Sequence, residues 1–255
     1  MCDSDRRFGG IGRLYGKPAL VRFQQAHICV IGVGGVGSWA VEALARSAIG
    51  RLTLIDMDHV AESNTNRQLQ ATSDNLGKSK IKVLAERIEQ INPACRVSLI
   101  DDYLSSTNLA ELINDEMDCV IDCIDDFRLK AALINYCKLQ QIRLICTGGA
   151  GGRTDPGMIQ LSDLARTEQD PLLSKTRALL RHDFGFPRNP KKKFKVDCIW
   201  SNEQLRYPTE DGHFSLQKPG NRGTSTLNCG GLGSAMPVTA TFAQFAVAAA
   251  LKAIS

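Results

Sequence analysis

An α/β protein built on a doubly wound, mostly parallel sheet is the fold this sequence predicts, and three observations predict it. Apolar strand-like runs alternate with helical patterns from residue 27 to about residue 147. A glycine-rich turn follows the first run and opens the first helix. Acidic residues stand at the tips of the second and fourth runs, and the carboxyl ends of parallel strands are where ligands of such sheets bind.

Each element has its own justification. The first strand, Ile28 to Gly32, is a short aliphatic run that ends in a turn residue. The helix Gly37 to Ala48 follows, then the strand Leu52 to Asp56. A helix over Lys78 to Ile91 is closed by Asn92-Pro93, because the residue before proline is biased away from the helical region. Strands Val97 to Asp101, Cys119 to Ile124 and Arg143 to Thr147 then alternate with helices Thr107 to Asn114 and Phe127 to Leu139. Beyond "CTGGAGGRTDPG" the regularity fades into a strand-like "MIQLSDL", a basic helical stretch, the loop "FGFPRNPKKKFK", the strand "VDCIWS", a turn-rich "YPTEDGHF" and a terminal helix. The expected organisation is one domain over 1–255, with a nucleotide-binding core at 27–147 and a C-terminal α+β extension at 148–255 for substrate binding and dimerisation.

Composition narrows the class. With 43% hydrophobic and 23% charged residues among 255, the chain reads as an ordinary soluble globular protein. A net charge of +4 is mild, so any nucleic-acid contact must come from local clustering. The nine cysteines are scattered without a CxxC pair, which excludes the usual thiolate clip for structural zinc. Cys29, Cys123 and Cys146 lie inside apolar runs, so a reducing cytoplasm is expected. The apolar stretch "MPVTATFAQFAVAAALKAI" carries Pro237 and Lys252, and is expected to be a buried or dimer-packing helix rather than an integral membrane span.

The turn carries the chemistry. Gly32, Gly34, Gly35 and Gly37 form GxGGxG, which lets backbone approach a phosphate at a helix N-terminus, where the dipole favours negative charge. Asp56 stands where a ribose hydroxyl would be accepted. Alone, these favour a nicotinamide or flavin site. The following "DMDHVAESNTNRQ" adds Asp58, Asn64, Arg67 and Gln68, and Lys80 comes thirteen residues after Arg67. A dinucleotide has no use for the extra cations, whereas a triphosphate does. "VIDCIDDFR" puts Asp125 at a strand end, where a carboxylate can hold Mg2+. The set reads as an ATP site without a Walker loop.

GxGGxGS, D-x-D, S-N-x-x-R-Q, the helix-borne lysine and D-x-x-D resemble the superfamily of ubiquitin-activating enzymes and their ThiF-type bacterial relatives in molybdopterin and thiamine biosynthesis. Within it, "RFGGIGRLYG", "SNTNRQ", "CTGGAGG", "VDCIWS" and "LNCGGLGSAMPVTATF" look like the branch that dehydrates threonylcarbamoyladenosine in tRNA. The missing CxxC pairs, and Asp126 where activators of protein tails carry Asn, weigh toward that branch. The resemblance implies adenylation of a carboxylate with ATP and Mg2+, a tRNA substrate, a homodimer, and a cysteine desulfurase with its sulfur acceptor as companions. It implies roles for Asn64, Arg67 and Lys80 at the transferring phosphates, and for Asp125 at the metal. An arginine finger from a partner's N-terminus would be Arg7 or Arg13. The alternative is an activator of a sulfur-carrier or ubiquitin-like protein; a nicotinamide-dependent reductase is a third reading.

Two further features of the sequence each carry more than one reading. Cys229 in "LNCGGLGS" is either a nucleophile or a small buried thiol, and cyclisation needs no covalent intermediate. Lys175, Arg177, Arg181, Arg188, Lys191, Lys192, Lys193 and Lys195 cluster against a single acid, Asp183, and are expected to contact tRNA phosphates. Phe184, Phe186 and Phe194 among them would stack on bases or pack, and His182 and His213 read as surface residues.

Overall fold

Aliphatic and β-branched runs that can be buried on both faces form the central strands, and the computed structural model describes them within residues 4–189, 191–218 and 231–255. Strands β1 (His27–Ile31), β2 (Arg51–Ile55), β3 (Arg96–Ile100), β4 (Cys119–Asp122) and β5 (Leu144–Thr147) pair in parallel. Strands β6 (Ile159–Asp163) and β7 (Asp197–Ser201) continue the sheet: β7 is parallel to β5, and β6 is antiparallel to β7. The order β3-β2-β1-β4-β5-β7-β6 reverses direction between β1 and β4. That reversal splays the crossovers and opens a crevice at the strands' carboxyl ends.

Two apolar clusters, one on each face, make the sheet doubly wound. One is built from β1, α2 (Lys17–Gln25), α3 (Gly37–Arg46), α4 (Lys80–Ile91) and α8 (Met236–Ile254). The other draws on α5 (Leu109–Leu112), α6 (Phe127–Leu139) and α7 (Pro171–Asp183). Helix α8 is long and apolar enough to cross a membrane by composition, yet half of that stretch is buried, with Val238, Phe242, Ala246 and Ala250 inside the core. A two-stranded hairpin, β8 (Tyr207–Pro208) with β9 (Phe214–Ser215), forms in the turn-rich segment.

The differences from expectation have local causes. The first three strands begin and end one residue before the ranges read from sequence. At β1 the reason is Gly32, whose φ of +80° leaves extended geometry. The helix expected over Thr107 to Asn114 shrinks to Leu109–Leu112, because Ser105, Thr107 and Asn108 hydrogen-bond to one another and to nearby backbone instead of joining it. Two helices precede the sheet: α1 (Ser4–Tyr15) and α2, separated at Gly16 with φ +88°. Sequence periodicity did not single them out.

Candidate functional site

The carboxyl ends of β1, β2, β4 and β5 open on a cleft of about 410 Å³. Gly32, Gly34 and Gly35 line it, together with Asp56, Asp58, Asn64, Arg67, Gln68, Lys80 and Asp125. Gly37 is buried behind them and has a different duty: a Cβ there would stand 1.9 Å from the Gly32 carbonyl oxygen. The turn therefore needs glycine at that position for its own closure.

Backbone and side-chain bonds hold the turn against β2. Asp56 Oδ2 accepts from Val33 N at 2.8 Å, and Oδ1 accepts from Asp58 N at 2.9 Å. Each carboxylate oxygen keeps a lone pair for a further donor. Gln70 Nε2 donates to Val33 O at 2.9 Å and to Gln68 Oε1 at 3.2 Å, locking the segment below the turn.

The loop that carries the polar groups is clamped between α3 and α8. Trp39 Nε1 donates to Arg67 O at 2.9 Å, and Met236 N donates to Asn66 O at 3.1 Å. Asn64 Oδ1 accepts from Ala61 N, which leaves its amide nitrogen for a ligand. Arg67 Nη1 donates to Ser63 O and Asn66 Oδ1. Lys80 opens α4 with its side chain only 6% exposed, and its Nζ lies 2.7 Å from Asp58 Oδ2. Asp58 thus faces the lysine, and a bound phosphate would compete with it for the same ammonium.

Asp125 is exposed at the cleft edge and takes part in no hydrogen bond or ion pair among the described residues. The adjacent Asp126 caps α6, accepting from Arg128 N at 2.7 Å and Leu129 N at 2.9 Å. The two neighbouring acids are therefore divided between a free carboxylate and a helix cap. No cluster of three or more metal-binding side chains occurs among the described residues. Mg2+ does not require one, since it takes one or two carboxylates and fills its remaining positions with phosphates and water. A free carboxylate beside a phosphate turn fits that pattern.

Several residues at the site escaped sequence reading. Tyr103 and Leu104 line the cleft after β3, and Gly148 to Gly151 line it after β5. A buried pair, Arg153 and Asp170, supports that glycine loop: Asp170 Oδ2 accepts from Gly149 N at 2.9 Å, and Arg153 Nη1 donates to Gly149 O at 2.7 Å. Beneath Asp125, Asp122 and Lys130 are both fully buried and lie 2.8 Å apart. Burial pushes the Asp122 carboxyl up while Lys130 opposes it; burial would lower the Lys130 ammonium, but Asp122 outweighs that and holds it above its ordinary value. A signal was present, because Lys130 shares the spacing of Leu133, Ile134 and Cys137 and so falls on the buried stripe of α6.

The other expected residues lie apart from the cleft lining. Arg7 Nη1 donates to Gln90 O and Ile91 O, and Arg13 sits in the last turn of α1. Neither lines the cleft of its own chain. Cys229 lies outside the described residues. In the basic segment, Arg177 donates to Thr167 Oγ1, and Arg181 donates to Pro187 O and stands over the Phe194 ring. Lys175, Arg188, Lys191, Lys192, Lys193 and Lys195 are exposed. Phe186 and Phe194 are buried edge-to-face at 5.1 Å, so they pack rather than stack on a base. His182 and His213 are exposed.

A glycine turn at a helix start, an acid on the next strand and cations facing the same crevice define a nucleotide-binding α/β protein with provision for more than a diphosphate. Residues 10–255 match the model of the ThiF family. The tRNA threonylcarbamoyladenosine dehydratase of Escherichia coli (strain K12) is 53% identical over 248 residues, 97% of this chain and 92% of that protein. The protein of the same name from Bacillus subtilis (strain 168) is 38% identical over 77% of this chain and 74% of its own. A crystal structure of the E. coli dehydratase in complex with ATP superposes with a TM-score of 0.87 at 51% identity, covering 98% of this chain and 94% of that one. The chain belongs to the ThiF family and, within it, to the tRNA threonylcarbamoyladenosine dehydratases.

Proposed function

We propose that this protein uses ATP to dehydrate threonylcarbamoyladenosine in tRNA, next to the anticodon, by adenylating the threonyl carboxylate and allowing the ring to close. The observation that carries this reading is the convergence, in one cleft, of the phosphate turn, Asp56, Asn64, Arg67, Lys80 and Asp125. A free carboxylate is unreactive toward acyl transfer because its leaving group would be oxide. Attack of its oxygen on the α-phosphorus breaks the bond to the bridging oxygen and releases pyrophosphate. The carbamoyl group then attacks the acyl carbon within the same nucleoside, AMP leaves with the former carboxylate oxygen, and water is lost overall. Holding both groups in one molecule supplies much of the rate.

The chain's own part is alignment and charge compensation. Backbone of the Gly32–Gly37 turn faces the phosphates at the start of α3, and Asp56 accepts from the ribose. Asn64, Arg67 and Lys80 stabilise negative charge as pyrophosphate departs. Asp125 would hold Mg2+, which when bound neutralises phosphate charge. One of the two candidate arginines of α1, Arg7 or Arg13, would serve a neighbouring subunit. A homodimer is supported by apolar residues exposed on three helices: Leu14 on α1, Val21 on α2 and Phe245 on α8, with Arg22 of α2 bonded to Ile254 O at the end of α8. The exposed lysines and Arg188 of 175–195 are offered as tRNA contacts, a cysteine desulfurase and its acceptor as companions, and the cytoplasm as the location.

Incubation of tRNA bearing threonylcarbamoyladenosine with the protein, ATP and Mg2+, followed by mass spectrometry of the nucleosides, tests the reading. Loss of one water from that nucleoside, coupled to pyrophosphate release, is the expected result. Pyrophosphate release that instead requires a diglycine protein tail would turn the assignment to a carrier-protein activator.

A further inference from the structure

Asp122 and Lys130 are both fully buried, at the last residue of β4 and one turn into α6. Among the described residues Asp122 Oδ2 accepts no hydrogen bond, and the ion pair with Lys130 Nζ at 2.8 Å is what it has in its place. Taking two charges out of water costs several kcal/mol per ion, and an apolar pair of similar volume would often be at least as stable. Stability alone is therefore a poor reason for this pair.

Its connections suggest another. Asp122 Oδ1 accepts from Ile124 N at 3.0 Å, curling the chain directly after β4. The Asp122 carbonyl accepts from Thr147 Oγ1 at 3.0 Å, tying in β5 where its glycine loop begins. Lys130 N donates to Asp126 O at 2.9 Å, closing the far end of the same turn. The side-chain pair itself joins the end of β4 to α6 across a short turn, and main-chain atoms of the same two residues tie in β5 and Asp126. Asp125 is in that turn with a carboxylate that has no other support among the described residues.

We propose that the Asp122–Lys130 pair is a positioning device that sets the Cys123–Asp126 turn, and with it the Asp125 carboxylate, for the adenylation step. Neither side chain lines the cleft, so both act through the turn. The inference rests on the adenylation reading for its kinetic arm only.

The test is the double variant Asp122→Asn/Lys130→Met in the full chain, which removes both charges and leaves no ion uncompensated. Pyrophosphate release at saturating ATP should fall at least about tenfold. The dissociation constant for AMP, held by the turn and Asp56 on β1 and β2, should stay within about twofold. Amide exchange should quicken over residues 123–126 and remain as in the unaltered protein across β1 and β2. A folded double variant with unchanged release overturns the proposal, as does a loss of rate matched by an equal loss of AMP affinity, the mark of a general collapse. If the double variant does not fold, Asp122→Asn alone is read by the same criteria, because a buried lysine can shed its proton. Should the unaltered protein release no pyrophosphate, the adenylation reading fails, and exchange over 123–126 then decides the positioning claim by itself: unchanged protection refutes it.

Discussion

Gly37→Ala and Gly34→Ala should separate the two duties of the glycine turn. At Gly37 the added methyl would meet the Gly32 carbonyl oxygen at 1.9 Å, and contacts of this kind are not seen below 3.0 Å, so the backbone at the end of β1 must move by about an ångström. Overpacking of this kind costs about 1 to 3 kcal/mol, with the upper end expected where the opposing atom is backbone. Alanine's helix preference returns at most about 1 kcal/mol. The net loss of about 2 kcal/mol corresponds to a fall in Tm of about 4 to 8 °C for a chain of this size. ATP affinity should fall with it, because the displaced strand end carries the turn. At Gly34 the nearest atom to a new methyl is Gln68 Nε2 at 3.8 Å, an ordinary contact, and the methyl enters the cleft lining. That variant should melt like the unaltered protein yet bind ATP at least about tenfold more weakly, about 1.4 kcal/mol. Scanning calorimetry with an ATP titration of each variant supplies both numbers. Unchanged melting of Gly37→Ala would refute the steric argument, and undiminished ATP affinity in Gly34→Ala would refute the placement of phosphates on the turn.

Asp125→Ala should abolish pyrophosphate release with Tm unchanged, since the exposed carboxylate bonds to nothing among the described residues; retained release would remove it from the metal role. Lys80→Met should lower the adenylation rate more than tRNA affinity, read by comparing single-turnover release with a tRNA binding curve. At the α3–α4 contact, burial pushes the Glu42 carboxyl up, but its bonds to Arg87 and Arg46 outweigh this and hold it below its ordinary 4.5. Such a lowered value stabilises the fold above about pH 4.5, and the contribution disappears as pH falls through the folded value. Glu42→Gln should therefore melt lower than the unaltered protein at pH 7, with the difference closing below about pH 4.5; a difference independent of pH would refute the linkage. Replacing Lys191, Lys192, Lys193 and Lys195 with glutamine should shallow the slope of log tRNA affinity against log salt by about three if all four meet phosphates, at about 0.7 to 0.9 per contact. An unchanged slope would exclude them as tRNA contacts.

Much of the architecture was legible in the sequence because its signals are local. Strand and helix alternation, the GxGGxG turn and the acid after β2 depend on neighbours a few residues away, and each produced the expected element at nearly the expected place. The polar set from Asp56 to Asp125 was legible because strand ends in a parallel sheet converge, so residues distant in sequence share a crevice. The tertiary structure alone decided which charged groups face the cleft and which face protein. Asp125 and Asp126 are adjacent and identical in type, yet one is a free carboxylate and the other a helix cap, a division made by the direction in which α6 leaves the sheet. Arg177 and Arg181 lie in the same basic run as Lys191, but their guanidinium groups meet Thr167 and Pro187 because α7 turns them inward. Lys130 falls on the buried stripe of α6 by its spacing, but its pairing with Asp122 is set only when α6 closes onto β4 and β5 and removes water from both. Residue type and spacing determine which elements form, through short-range sterics and burial of apolar area. Charge pairing depends on distances between elements, and only the packed fold sets those.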